Sequence, residues 1–307
     1  MAYHGLSPAA GAQGTRTTPV SHAELHKNAL TGFLELDLET PGGQFVAPGT
    51  GRLVLREEPG EAVVVQEASR RQGAPVLPGS GIKGAVRTAY ELLTASCSPT
   101  GSGRCEMDRR RNKLDACPAC SLFGFLGWRG RLGFDDGIPT EPGLVTIASE
   151  RLPIPWEPKG WRTPGAFRWY DLAPARFKPK GSRVSQPAPR VLSREVYRGR
   201  FRTRLAFWNV TSLELGRVLL AMGCQTGGQT RFHLRLGGMK FDGKGALRVT
   251  PTRLVLSFPE RTNLEGPACL ELCDSWLKAV GTAGSEQSFW QGLEELARVE
   301  RIPEVES

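Results

Sequence analysis

The sequence has no apolar stretch near the length of about 18 to 20 residues that a helix needs to cross a bilayer. It shows no internal repeat, and its N-terminal stretch MAYHGLSPAAGAQGTRTTPV lacks the apolar core of a secretory signal. We therefore expect a cytoplasmic protein without a membrane partner, in which residues 1–26 form a flexible lead. The 307 residues suffice for one large domain or two small ones.

Acidic residues are scarce relative to basic ones, since the formal net charge is +9 and the pI is about 9.4. The imbalance is concentrated between Lys159 and Arg204, where Asp171 and Glu195 are the only acids. Aromatic residues are interleaved with the basic ones there, as in WRTPGAFRWY. Cations beside stacking rings are typical of proteins that bind single-stranded nucleic acid. Charge alone is also compatible with a basic surface that serves only solubility.

The chain also lacks the regular alternation of strands and helices that a doubly wound sheet requires. Strand patterns dominate its first half, and a strand, a helix and further strands follow. This order predicts an α+β fold. The predicted strands are TGFLELDLET, GRLVLREE, EAVVVQEA, RFRTRLAFWNV, TRFHLRL and ALRVTPTRLVLSF, and the predicted helices are AVRTAYELLTA, SLELGRVLLAM, ACLELCDSWLKAV and SEQSFWQGLEELARV.

The segment PVLPGSGIKGAVRTAYELL contains the spacing G-x-G-x-x-G of a dinucleotide-binding loop, from Gly79 to Gly84. A dinucleotide is disfavoured because Pro78 precedes the first glycine and no strand with an acidic end follows about 20 residues later. Glycines that lead into a helix instead expose N–H groups that bind an anion. Ser80, Lys83 and Arg87 add a hydroxyl and two charges. A tight turn without a ligand is the alternative.

A second glycine-rich loop, LGGMKFDGKGALRV, lies between two predicted strands. Its glycines and lysines are Gly237, Gly238, Lys240, Gly243, Lys244 and Gly245. The presence of two basic glycine loops in one chain favours anion binding over a turn without a ligand.

A group of four cysteines has the spacing C-x7-C-x11-C-P-A-C, and its members are Cys97, Cys105, Cys117 and Cys120. In a chain without a secretory signal, such a group favours a metal site over disulfides. Four thiolates suit a structural zinc ion, so we predict Zn²⁺ here, with free thiols as the alternative. The remaining cysteines form no such group, and we expect Cys269 and Cys273 to lie in the core.

Four motifs resemble, in order, those of the RAMP superfamily of CRISPR-associated proteins. They are the PGSGIKG loop before a helix, CPACSLFGFLGWRGRLGFDDG, EVYRGRFRTRLAFWNVTSLELGRVLLAM and LGGMKFDGKGALRV. The resemblance is closest to the guide-RNA-binding backbone subunits of type III effector complexes. It implies a ferredoxin-like core, similar to an RNA-recognition motif, over residues 27–258. The resemblance also implies a basic thumb-like insertion at 150–194. From the cysteine spacing and the helical pattern, we expect a zinc-knuckle insertion at 96–121 and a C-terminal helical segment at 259–307.

The resemblance also implies binding of CRISPR RNA and target RNA, and assembly with other subunits of an antiviral effector complex. In the first loop, the implied RNA contacts are Gly79, Ser80, Gly81, Lys83, Gly84 and Arg87. In the second loop, they are Gly237, Gly238, Lys240, Lys244 and Gly245. In the thumb, which interrupts guide–target pairing in the family, they are Lys178, Lys180 and Arg183.

One departure from the family pattern bears on catalysis. Backbone members that cut target RNA have an Asp between the first strand and the Pro-Gly-Ser motif, whereas no Asp occurs here between Asp37 and Asp108. We therefore predict a structural subunit without a target-cleaving site, with Glu67 as the reserve candidate.

The alternative is a RAMP endonuclease that cuts target RNA or processes the guide precursor. Its reserve candidates are His22 and His26, spaced i, i+4 on a predicted helix, because histidine is a common general acid or base. A solvated helix face would also explain this pair. For Asp135 and Asp136, we expect a structural role.

Overall fold

The computed structural model describes residues 4–6, 16–97, 105, 115–141, 145–151, 167–169, 192–240, 243–282, 293–294 and 297. The strands are β1 (His4–Leu6), β2 (Leu30–Glu39), β3 (Thr50–Glu58), β4 (Glu61–Ala68), β5 (Arg70–Arg71), β6 (Ala74–Pro75), β7 (Gly124–Phe125), β8 (Trp128–Arg129), β9 (Leu132–Phe134), β10 (Ile138–Pro139), β11 (Thr146–Arg151), β12 (Phe167–Trp169), β13 (Leu192–Arg198), β14 (Arg200–Val210), β15 (Cys224–Gln225), β16 (Gln229–Thr230), β17 (Leu234–Arg235), β18 (Ala246–Phe258) and β19 (Thr262–Glu265). The helices are α1 (Gly79–Leu93), α2 (Pro118–Phe123), α3 (Ser212–Ala221) and α4 (Pro267–Thr282), with a 3-10 turn at Thr226–Gly228.

The core is built on an antiparallel sheet in the order β10-β14-β2-β18-β17, in which β9 also pairs with β14 and β19 with β18. Strand β2 suits its central place because Leu34, Leu36 and Leu38 alternate with more exposed residues and are fully buried. Strand β14 alternates in the same way. Buried side chains of α1, α3 and α4 join these leucines in one core, so the helices cover one face of the sheet.

This arrangement is ferredoxin-like. Strand β2, helix α1, strands β9 and β10, strand β14, helix α3 and strand β18 follow one another along the chain. In the sheet, β18 lies beside β2, β2 beside β14, and β14 beside β9 and β10. The first and third strands of a β-α-β-β-α-β unit are therefore central neighbours. The predicted α+β, ferredoxin-like class is confirmed.

Most predicted elements agree with the structure, and two boundaries differ. Helix α1 begins at Gly79 rather than Ala85, because the glycine loop itself is the first turn of the helix. The segment TRFHLRL is divided between β16 and β17 instead of forming one strand, because its two ends pair with different partners, β15 and β18. The predicted helix SEQSFWQGLEELARV lies largely outside the described residues.

The predicted helix that would place His22 and His26 on one face is wrong, since residues 21–28 form turns and bends. The side chain of Asn209 accounts for this. Its amide nitrogen donates to the carbonyls of Ser21 and Glu24, and its oxygen accepts the N–H of His26. These backbone groups are therefore bonded to the core rather than to one another.

A second sheet, in the order β11-β13-β4-β3, contains the base of the predicted thumb. Residues Thr146–Arg151 pair antiparallel with Ser193–Arg198, so the insertion leaves and rejoins the fold on adjacent strands. The predicted contacts Lys178, Lys180 and Arg183 lie outside the described residues. The thumb assignment stays a prediction.

The N-terminal lead contacts the rest of the chain at further points besides the bonds of Asn209. Strand β1 pairs with β12, and Thr17 exchanges backbone hydrogen bonds of 2.9 and 3.0 Å with Ala116. The boundaries at residues 26 and 258 stay predictions. The buried positions of Cys269 and Cys273 on α4 confirm their place in the core. No described helix combines the length and the apolar character needed to span a membrane.

Candidate functional site

The two glycine loops meet across a cleft of about 210 Å³, which we call the glycine cleft. Helix α1 contributes one wall and the loop after β17 the other, although more than a hundred residues separate them in the sequence. The lining residues are Gly81, Gly84, Ala85, Thr88, Arg235, Gly237 and Lys240. The structure therefore joins two loops that the sequence predicted separately.

Some glycines of these loops are needed for packing. A Cβ atom on Gly79 would lie 2.2 Å from the carbonyl oxygen of Phe134, and one on Gly237, whose φ is +81°, would lie 2.0 Å from that of Ala47. No side chain fits at either contact. The N–H of Gly79 donates to Oδ1 of Asp136 over 2.8 Å, so Asp136 caps α1. The structural role expected for Asp136 is confirmed.

Gly84 is different. It lies in the interior of α1, is exposed, and has no atom within 4 Å of the place where a Cβ would stand. Glycine in a helix interior destabilises the helix by about 1 kcal/mol relative to alanine. Packing does not require glycine here, and its absence of a side chain leaves the helix backbone open to the glycine cleft.

Cations surround the second loop. Lys240 lines the glycine cleft, where burial, together with the charge of Arg235, lowers its pKa to about 8. Arg194 stands beside Gly238 and donates to the carbonyl of Pro48 over 2.7 Å, and burial lowers its pKa. The sequence placed Arg194 in the thumb-like insertion, and no local signal connects it or Arg235 with the second loop. The fold alone shows this positive environment.

Two predicted RNA contacts on α1 have protein partners. Lys83 donates to the carbonyl of Leu132 over 3.0 Å, and burial lowers its pKa. Arg87 bonds Glu91 at 2.6 Å and the carbonyl of Gly124 at 2.8 Å. Both side chains help to fix α1 against β9 and the turn after α2.

The four predicted metal ligands are brought together. The sulfur atoms of Cys97, Cys105, Cys117 and Cys120 all lie within 4.8 Å of one another. The Sγ–Sγ distances are 3.4 Å from Cys97 to Cys120 and 3.6 Å from Cys97 to Cys117. Tetrahedral bonds of about 2.3 Å from one ion would separate the sulfurs by about 3.8 Å. The cluster therefore has the donors and spacing to hold a metal ion.

The surroundings of the cysteines favour a thiolate at Cys117, whereas its hydrogen bond with Cys117 raises the pKa of Cys120. Nη2 of Arg87 lies 3.4 Å from Sγ of Cys120, and the N–H of Cys117 donates to Sγ of Cys105 over 3.2 Å. The hydrogen bond with Cys120 lowers the pKa of Cys117 to about 4, whereas burial raises that of Cys105 to about 11. A bound cation would displace the remaining thiol protons.

The reserve catalytic residues are not assembled into one site by any described contact. Glu67 lies in the second sheet, paired with Arg52 at 2.8 Å and Arg56 at 3.5 Å, and the hydrogen bond with Arg52 is the main cause of its lowered pKa. Nε2 of His22 lies 2.8 Å from the carbonyl oxygen of Arg129, and His26 is exposed. Their catalytic roles stay predictions.

The chain was compared with known families and with curated proteins. The family model described as "RAMP superfamily" matches residues 7–248, which cover both glycine loops and all four clustered cysteines. No curated protein matches the chain significantly.

We expect each single Cys→Ser substitution in the cluster to release a bound metal ion and lower the thermal unfolding midpoint, because three thiolates hold the ion less tightly. Metal content of the purified protein and a thermal melt measure both effects. The control is Cys269→Ser, which removes a buried thiol outside the cluster and should keep full metal content. Equal metal content in Cys97→Ser and Cys269→Ser proteins would contradict the assignment.

Proposed function

Because the chain belongs to the RAMP superfamily, we propose that it is a CRISPR RNA-binding structural subunit of a type III-like antiviral effector complex. Membership in this family supports a CRISPR-associated function that involves RNA. The observation that best supports binding of the guide is the glycine cleft, where open helix backbone faces a lysine and a buried arginine. A groove of this kind suits an RNA backbone, because a helix surface without a side chain allows close approach and the ammonium group of Lys240 can donate to a phosphate oxygen.

The proposed RNA contacts divide into two groups. Gly81, Gly84, Gly237 and Lys240 line the cleft and would lie next to the guide backbone. Gly79, Lys83 and Arg87 are bonded within the protein and would act by positioning α1. The remaining predicted contacts of the two loops, Ser80, Gly238, Lys244 and Gly245, stay proposals on the strength of the family resemblance.

We further propose that Zn²⁺ occupies the cysteine cluster. Four thiolates at tetrahedral spacing are the preferred ligands of a structural zinc ion, and four protein ligands leave no position open for catalysis. Arg87 would offset part of the negative charge of such a site. The ion would fasten Cys97, just beyond the end of α1, to the start of α2.

The proposed partners are CRISPR RNA, target RNA and neighbouring effector subunits in the cytoplasm. The antiparallel base formed by β11 and β13 supports a hairpin-like thumb over residues 150–194. The thumb would approach the guide–target duplex while the glycine cleft holds the guide backbone.

The endonuclease alternative is tested by incubating the metal-loaded protein with labelled guide precursor and with target RNA, with and without Mg²⁺. We expect no cleavage, because Glu67 is held by arginines and no described contact joins it to His22 or His26. Cleavage lost in Glu67→Gln would indicate a target-cutting enzyme. Metal-independent cleavage lost in His22→Ala or His26→Ala would indicate a processing enzyme.

We expect Gly84→Ala to stabilise the protein and yet weaken RNA binding. Alanine favours the helix by about 1 kcal/mol, and its methyl group meets no protein atom but narrows the approach to the backbone. Urea denaturation and filter binding with a guide-like RNA measure the two effects.

The matched control is Gly79→Ala, which should destabilise the protein because its Cβ would overlap the carbonyl of Phe134. A Gly84→Ala protein with unchanged RNA affinity would contradict the proposed path of the guide.

We expect RNA affinity to fall as pH rises from 7 to 9. Lys240 has a pKa of about 8 in the free protein, so above that pH it must take up a proton before its ammonium group can bind a phosphate. Lys240→Arg should remove this dependence because guanidinium stays charged. Lys278→Arg, on an exposed position of α4, is the control. Identical pH profiles for wild type and Lys240→Arg would exclude Lys240 from the contact.

A further inference from the structure

The outer face of the central sheet, opposite the helices, has two distinct halves. Toward one end, rows of arginine and acid form ion pairs across β14, β2 and β18. Arg202 bonds Asp37 at 2.7 Å, and Arg248 bonds Glu39. These charges largely neutralise one another, so this end offers few unsatisfied groups to a ligand.

The other end of the same face contains a recess of about 700 Å³, which we call the sheet recess. Ala206 and Gly133 are directly opposite each other across β14 and β9, and their small size leaves the space open. Trp208 bounds it on the same strand and is 41% exposed, although it is a large aromatic residue. The glycine cleft and the sheet recess share no lining residue.

Arg204 forms the opposite boundary. Its guanidinium carbon lies 4.2 Å from the centroid of the Phe33 ring, and Glu35 lies 3.4 Å from Nη2, so both groups hold the planar guanidinium in place. Trp208 and Arg204 are four residues apart on one strand, a separation of about 13 Å along the backbone. Nucleobases stack on tryptophan rings and on guanidinium planes.

A positive charge lies at the rim. Within the described part of the chain, the guanidinium of Arg129 has no hydrogen-bond or ion-pair partner. His22 lies beside Arg129, with Nε2 2.8 Å from the Arg129 carbonyl oxygen and its ring 5.8 Å from that of Trp128. The recess is therefore bordered by the exposed ring of Trp208, the fixed guanidinium of Arg204 and the exposed side chain of Arg129. These groups suit a ligand that has both a flat ring and a phosphate.

We propose that the sheet recess binds one unpaired RNA nucleotide, with its base stacked on Trp208, Arg204 on the other side of the recess and its phosphate at Arg129. The choice of RNA as the ligand rests on the proposed function, but the site is separate from the glycine cleft. The cationic rim favours a nucleotide over an apolar protein segment, which would leave Arg129 without a counter-charge. In this proposal, the sheet recess binds an RNA base, whereas the glycine cleft binds the sugar–phosphate backbone of the RNA.

The test compares two ligands of equal charge: labelled pentauridylate and a pentamer of abasic ribose phosphate. Wild-type, metal-loaded protein should prefer pentauridylate. Trp208→Ala should lower affinity for pentauridylate by roughly 5- to 150-fold, the range for loss of one stacked base, and leave the abasic pentamer unaffected. Trp208→Phe should retain most of the preference. Arg129→Gln should weaken both ligands.

Controls separate this proposal from the proposed function. Leu53→Ala, which removes an exposed apolar side chain from strand β3, should change neither affinity. Gly84→Ala should weaken both pentamers equally if the glycine cleft binds backbone. Unchanged pentauridylate affinity in folded Trp208→Ala would overturn the proposed nucleotide site in the sheet recess, whatever the effect of Gly84→Ala on RNA affinity. An equal loss of affinity for both pentamers in Trp208→Ala would contradict base stacking. A Trp208→Ala protein that loses self-association or subunit binding but keeps its pentauridylate affinity would also contradict it.

Discussion

The contact between the start of α1 and the loop from β9 to β10 is the constraint on which the rest of the structure depends. Leu77 and Gly137 exchange backbone hydrogen bonds of 2.8 and 2.9 Å, and the N–H of Gly79 donates to Asp136. The backbones are so close that a side chain on Gly79 would overlap the carbonyl of Phe134. This contact sets where α1 begins and how it crosses the sheet, because three bonds and a steric limit act within a few residues.

Helix α1 then connects the two candidate sites. Its N-terminal half exposes Gly81 and Gly84 to the glycine cleft, and four residues beyond its last turn Cys97 joins the cysteine cluster. Arg87 lies between them and reaches Cys120. Under the proposed function, a metal ion at one end would stabilise the helix that presents the glycines at the other.

The sheet separates structural from ligand-facing residues by the two-residue period of its strands. Along β14, the inward side chains fill the core, while Arg200, Arg202, Arg204 and Trp208 face outward. Ion pairs with β2 and β18 neutralise much of this outward charge, as between Arg202 and Asp37. A net charge of +9 is therefore a poor guide to any single surface, because the excess of basic residues is spread unevenly and the arginines of this face are matched by acids.

The sequence by itself determined the α+β class, the long strands, the grouping of four cysteines and both glycine loops, because periodicity, spacing and glycine placement are local properties. It was wrong about the helix at His22 and His26, where the distant Asn209 takes the backbone groups that a helix would use. Only the tertiary structure decided that Gly84 faces open space while Gly79 is needed for packing, that Arg87 turns to the cysteines, and that Trp208 borders a recess with Arg129. These facts depend on contacts between residues far apart in the chain, which no local pattern of residues encodes.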